Sequence, residues 1–143
     1  MSDIDPVTTG DAGIVTLQLP ASTAYLRLVR LSVAGVAGEH GFSVDEIDDL
    51  RIAIDEVCSL LLDGGGGPRI DLRFEPGSDG LVIEASRPAI DGDAADDPDG
   101  GGLPDLVEMI LSATVDEHSL VVHDGVRRCR LQKMPFVDAE SGE

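Results

Sequence analysis

Basic residues, aromatics and long apolar runs are what this chain has least of. Its 143 residues carry 10 Lys+Arg against 28 Asp+Glu, a formal net charge of -18. Such a molecule repels phosphate backbones and anionic lipid, which excludes direct binding to nucleic acid or to a membrane surface through a basic footprint. It attracts basic partners instead, and proteins that bind nucleic acid are the largest such class in a cell. Aromatics amount to 3%, with no Trp and a single Tyr, so aliphatic side chains must fill the core. No apolar run approaches the roughly 20 residues of a membrane helix. Residues 1–13 contain Asp3, Asp5 and Asp11 but neither a basic nor an apolar region, so no secretory signal is expected. The only two cysteines, Cys58 and Cys129, lie far apart in apolar-rich segments, which outside a secretory context reads as buried thiols rather than a disulfide. These absences point to a cytoplasmic protein.

What is present is enough for one globular domain. The hydrophobic fraction is 42%, and a chain of about 150 residues buries about 68–70% of its unfolded surface. Alternation around Ile14–Leu19, ended by Pro20, predicts a first strand, and Ser22 caps a helix running to Gly41. Ser43 and Glu46 form a capping box ahead of Ile47, Leu50, Ile54, Val57 and Leu61, one face of a long second helix that Gly64–Pro68 ends. Asp48, Asp55 and Ser59 fall on its solvent side. Ile70–Glu75 and Leu81–Ala85 flank a Pro-Gly-Ser-Asp-Gly turn and predict a hairpin. Residues 87–101 form a long Gly/Asp/Pro loop, of a length that is usually functional or disordered. A third helix from about Leu103 to Ser112 turns Leu106, Val107, Ile110 and Leu111 inward. Strands near 114–123 and 126–133 close on an Asp124-Gly125 turn. The fold class expected is α+β, a two-layer sandwich with a mixed, mostly antiparallel five-stranded sheet and three helices on one face. Residues 1–13 are expected to be a flexible tail, 14–133 the domain, and 134–143 a second tail.

Other chemistry finds little support in the residues. Asp97, Asp99, Gly102, Asp105 and Glu108 match several positions of a calcium loop, but Gly101 and Pro104 break it and no helix enters it. His40, His118 and His123 are scattered, without metal-ligand spacing to the cysteines, so no metal is expected.

The order of elements and several motifs resemble a known family. Leu50-Arg51-Ile52-Ala53-Ile54-Asp55-Glu56-Val57-Cys58-Ser59 is similar to the "LklAvsEacxN" helix of the anti-sigma regulatory factors of the stress-response and sporulation switch type. These are small serine-protein kinases with the histidine-kinase-like (GHKL) ATPase fold. Leu19-Pro20-Ala21, Gly41-Phe42-Ser43 and Gly100-Gly101-Gly102-Leu103 also match, and the likeness runs from about Leu19 to Gln132. It implies Glu56 as the general base toward a target serine. It places Leu60 where the family's Asn holds the magnesium of ATP, and Mg²⁺ wants hard oxygen ligands. The family's D-x-G-x-G motif, which reads adenine, corresponds to Ala85-Ser86-Arg87-Pro88-Ala89, so the carboxylate and both glycines are replaced. Gly100-x-Gly102-Leu103 keeps the G-x-G-L form of the lid at a helix N-terminus, which favours an anion. Arg30, with Arg27 one turn earlier, matches the family's sigma-contacting arginine on the first helix.

The function so implied is an anti-sigma factor that sequesters an alternative RNA polymerase sigma factor, under control of an anti-anti-sigma (STAS-type) antagonist, commonly as a homodimer and with ATP binding weakened or lost. The alternative is an active ATP-dependent serine kinase that phosphorylates the antagonist, with magnesium ATP as its cofactor. Charge bears on the choice. Acid gathers in the second helix and the 87–101 loop, where the family keeps its nucleotide, whereas Arg127, Arg128, Arg130 and Lys133 lie on the last strand.

Overall fold

The computed structural model describes residues 13–63, 65–88, 103–124 and 126–136. Its elements in chain order are β1 (Val15–Pro20), a 3-10 turn (Thr23–Tyr25), α1 (Leu26–Gly38), α2 (Val44–Asp63), β2 (Arg69–Gly77), β3 (Gly80–Ser86), α3 (Asp105–Thr114), β4 (Glu117–His123) and β5 (Val126–Lys133). The strands form one sheet in the order β1-β2-β3-β5-β4. Every neighbouring pair is antiparallel, where a mixed sheet was expected. The reason lies in one crossover. The β3–α3–β4 connection does join strands of the same direction, but β5 folds back as a hairpin from β4 and inserts between them, so no parallel pair forms.

Alternation along the strands divides the sheet into two faces. Leu72 lies opposite Ala85 and Phe74 opposite Ile83, and Ala85 and Ile83 in turn face Cys129 and Leu131. All six are buried and meet the helices. The other face is polar, with Arg73 opposite Glu84 and Glu84 opposite Arg130. The helical layer contributes Val29, Val33 and Ala37 from α1, Leu50, Ala53, Ile54, Val57, Cys58 and Leu61 from α2, and Leu111 from α3. Phe74 is the only aromatic among the largest fully buried side chains, in keeping with the aliphatic composition.

Local chemistry sets the helix ends. Ser22 accepts a hydrogen bond from the Ala24 N–H at 3.1 Å and so caps the 3-10 turn through which the chain enters α1. At the far end Gly41 takes φ +87, and the Phe42 N–H reaches back to the Ala37 carbonyl at 3.4 Å. This is the six-to-one bond of a helix stop that needs a left-handed residue, with buried Phe42 as its hydrophobic contact. The capping box of α2 closes both ways. The Glu46 N–H donates to Ser43 Oγ at 3.2 Å, and the Ser43 N–H donates to Glu46 Oε1 at 2.8 Å.

One expectation about an apolar face needs correction. Leu106, expected inward, is 66% exposed, because the buried side of α3 follows Leu103, Val107, Leu111 and Thr114. On α1 the core takes the row at Val29, Val33 and Ala37, while Leu28 and Leu31, like Tyr25 just before the helix, are exposed. Residues 134–136, expected to begin a tail, are fastened down. The Met134 N–H donates to Asp116 Oδ2 at 2.7 Å, and the Phe136 N–H donates to Glu46 Oε2 at 2.6 Å.

Candidate functional site

The sequence places candidate residues in two regions, and the fold keeps them apart. The first is the outer side of α1. Arg30 points toward α2, where its Nε donates to Asp55 Oδ1 at 2.9 Å and Oδ2 at 3.0 Å. Asp55, expected to be solvated, is therefore paired and only 35% exposed, and Arg30 is 38% exposed. An ion pair this accessible contributes about 1 kcal/mol or less. Its larger effect is geometric, since it fixes a long side chain and leaves both Nη groups without a partner among the described residues. Arg27, one turn earlier, is exposed. Around the two arginines stand Tyr25, Leu28 and Leu31, exposed by 40%, 43% and 61%. The cavity beneath, between Leu19, Tyr25, Leu26, Cys58 and Leu62, is about 10 Å³, room for one water at most. This region is a surface and not a small-molecule pocket.

The second region lies where α2, the end of β3 and the start of α3 converge. Glu56 is half-buried on α2. Leu60, one turn on, packs against the core together with Leu103 and Val107. Ala85 is buried at the end of β3. No side-chain oxygen is thus present at 60, 85 or 87. Gly100 and Gly102 lie outside the described residues, as do Asp97 and Asp99 of the calcium-loop pattern. Glu108 of that pattern is engaged with His118, Oε2 to Nε2 at 3.1 Å. Among the described residues no group of three or more His, Cys, Asp or Glu side chains is arranged to hold a metal ion.

Sequence reasoning missed Arg87. From the end of β3 its guanidinium reaches the C-terminus of α2, where Nη1 donates to the Leu61 and Leu62 carbonyls, each at 3.0 Å, and Nε donates to the Gly67 carbonyl at 2.7 Å. A helix leaves its last carbonyls unpaired and ends in partial negative charge, and α2 has no basic residue of its own in its last turn. Arg87 supplies both the hydrogen bonds and the charge. The one signal in the sequence was an arginine just after a strand, some twenty-five positions from a helix that ends in glycines.

The cysteines are free and buried, Cys58 on α2 and Cys129 on β5. Burial pushes the Cys58 thiol up to about 12, with Asp55 adding to it, and the Cys129 thiol up to about 11. Both are inert core side chains at neutral pH.

Comparison with known proteins places this geometry. No family model matches the chain. A 48-residue stretch is 42% identical to the serine-protein kinases RsbW of Bacillus thuringiensis (strain Al Hakam), Bacillus cereus (strain B4264) and Bacillus anthracis (strain CDC 684 / NRRL 3495). That stretch is 34% of this chain and spans 30% of the length of each kinase. Among solved structures, the RsbU and RsbW domains of a Mycobacterium tuberculosis protein superpose with a TM-score of 0.63 at 18% identity, covering 87% of this chain and 34% of that one. The SiaB–SiaC complex from Pseudomonas aeruginosa gives 0.56 at 14% identity, covering 83% and 88%. At these identities the structures speak for the fold alone. The chain is homologous over that stretch to the RsbW serine-protein kinases, and its described domain has the α+β fold of RsbW-like structures.

Proposed function

We propose that the chain is an anti-sigma regulatory factor. It binds and sequesters an alternative RNA polymerase sigma factor by protein contact, in the cytoplasm, and an anti-anti-sigma antagonist of the STAS type releases it. The observation that carries the reading is the α1 face, where Arg27 and an Arg30 held by Asp55 border exposed Leu28 and Leu31. An arginine already fixed in place loses less side-chain freedom on docking than a free one. The net charge of -18 steers a basic, DNA-binding protein toward the molecule.

ATP has little to hold it. Leu60 offers no oxygen to magnesium, Ala85 stands where the resembling family reads adenine with a carboxylate, and Arg87 is occupied with three carbonyls. With these side chains a magnesium nucleotide is held weakly or not at all, so the proposed module acts by contact rather than by phosphate transfer. A second reading, an ATP-dependent serine kinase acting on the antagonist, is favoured by Glu56, the one nucleotide-site residue of the resemblance that the described chain keeps on α2. Phosphate transfer to a STAS-type protein that is lost in Glu56→Ala would establish it.

The immobilised chain, offered each alternative sigma factor of its own organism, is expected to retain one. Arg27→Glu combined with Arg30→Glu is expected to lower that retention at least tenfold. Retention of none, or retention indifferent to both arginines, contradicts the proposal. Sedimentation of the full chain reads the homodimer that the family resemblance implies.

A further inference from the structure

A second surface, opposite in character to α1, lies on the outer side of α2 and α3. Lys133 bridges these helices at one end. Its Nζ donates to the Thr114 carbonyl at the end of α3 at 2.8 Å and stands 3.8 Å from Asp49 Oδ2 near the start of α2. The end of α3 thus lies beside the first turns of α2, and the two helices pack against each other. On the side away from the sheet, Ile52 is 47% exposed, Leu106 66% and Met109 67%. Leu106 and Met109 are one turn apart, and Ile52 lies on the side of α2 opposite its buried row at Leu50, Ala53, Ile54, Val57 and Leu61. Around them acid predominates: α2 carries seven carboxylates against Arg51, and α3 carries Asp105 and Glu108 with no basic residue, although Asp55, Asp49 and Glu108 stand near Arg30, Lys133 and His118. Arg51 is tied to Asp48 at 3.3 Å. Neither Glu56 nor Asp105 has an ion-pair partner among the described residues.

We propose that the α2–α3 face is a docking surface for an amphipathic helix of a partner protein, one whose apolar row is flanked by Lys and Arg. Apolar side chains on two neighbouring helices match the turn spacing of a third helix laid against them. The surrounding carboxylates select cationic flanks and orient the helix. Charge also decides against the other occupants. A second copy of the chain would set two acidic faces against each other. The chain's own 89–102 segment, with Asp91, Asp93, Asp96, Asp97 and Asp99 and no basic residue, is repelled by the same field. Nucleic acid and anionic membrane are excluded by sign. The α1 face, with Arg27 and Arg30, fits an acidic patch even on a partner that is basic as a whole, so the molecule offers two partners, or two parts of one, different places to hold.

The test uses the full chain and labelled synthetic helices of about five turns. One carries Leu at i, i+3, i+4 and i+7 with Lys elsewhere, a second replaces Lys by Glu, and a third keeps the first composition with the Leu positions scrambled. Fluorescence anisotropy is expected to show binding of the Lys helix, at least tenfold tighter than either control and weakened by salt. The pair Leu106→Lys and Met109→Lys is expected to reduce that affinity at least tenfold, and the milder Leu106→Ser several-fold. Val121→Lys, on the exposed edge strand β4, leaves it unchanged. Equal binding of the Glu or scrambled helix, no binding at all, or binding insensitive to Leu106 and Met109 overturns the proposal. So does a dimer that the double variant converts to monomer, since the face would then belong to a second copy.

Discussion

At the scale of single residues, two side chains hold separated parts of the chain together. Arg87 makes three charged hydrogen bonds at the end of α2, and such bonds contribute about 1.5–3 kcal/mol each where no water replaces the donor. Water does reach this half-buried position, so Arg87→Ala is expected to cost about 2 kcal/mol in all, measured as a lower midpoint in urea with an unchanged slope. Glu46 serves two segments at once, the capping box and residues 134–136. Burial pushes its carboxyl up, but the N–H groups of Ser43 and Phe136, the Ser43 hydroxyl and the Lys133 charge outweigh that and hold it below its ordinary value of 4.5. A carboxyl lowered in the folded state stabilises above its unfolded value and loses that contribution as pH falls through the folded one. Stability should therefore fall below about pH 4.5, and Glu46→Gln should flatten that part of the profile, as pH-dependent thermal unfolding would record. None of these partners was legible in the sequence except Ser43, three positions away. Arg30 and Asp55 are 25 apart, and Glu46 and Phe136 are 90 apart. Separations of that kind are set by the fold and leave no local pattern.

At the scale of elements the sequence was more informative, because each helix and strand has its own period. The capping box, the long α2 stripe, the two hairpins and the Gly41 stop were all legible from spacing and turn chemistry. The order of strands was not, since nothing local says that β5 inserts between β3 and β4. The face of α3 was legible in part, right at Val107 and Leu111 and wrong at Leu106, for a related reason: with Leu103, Leu106, Val107, Met109, Ile110 and Leu111 in sequence, several apolar stripes are possible, and only packing on α2 and β4 selects one. The β2–β3 turn gives a sharp test. Gly80 takes φ +86, and a Cβ there would collide with the backbone carbonyl of Lys133 on β5. Gly80→Ala combines a disfavoured backbone with a contact that cannot move away, and is expected to cost about 3 kcal/mol by denaturant unfolding. A cost below about 0.5 kcal/mol, the level of an ordinary surface change, would mean that the turn relaxes.

At the scale of the whole molecule, charge is distributed by region. The helical layer concentrates carboxylates on α2 and α3, the polar face of the sheet pairs Arg73, Glu84 and Arg130 across strands, and α1 carries its two arginines beside exposed leucines. The chain keeps the frame of an RsbW-like domain while Leu60, Ala85 and Arg87 stand at positions where the family resemblance called for nucleotide contacts. We propose that the frame serves protein contact without a nucleotide. The most direct measurement is a titration of the full chain against the sigma factor proposed as its partner, with and without magnesium ATP. The account predicts the same Kd in both conditions; an affinity that appears only when magnesium ATP is present would contradict it.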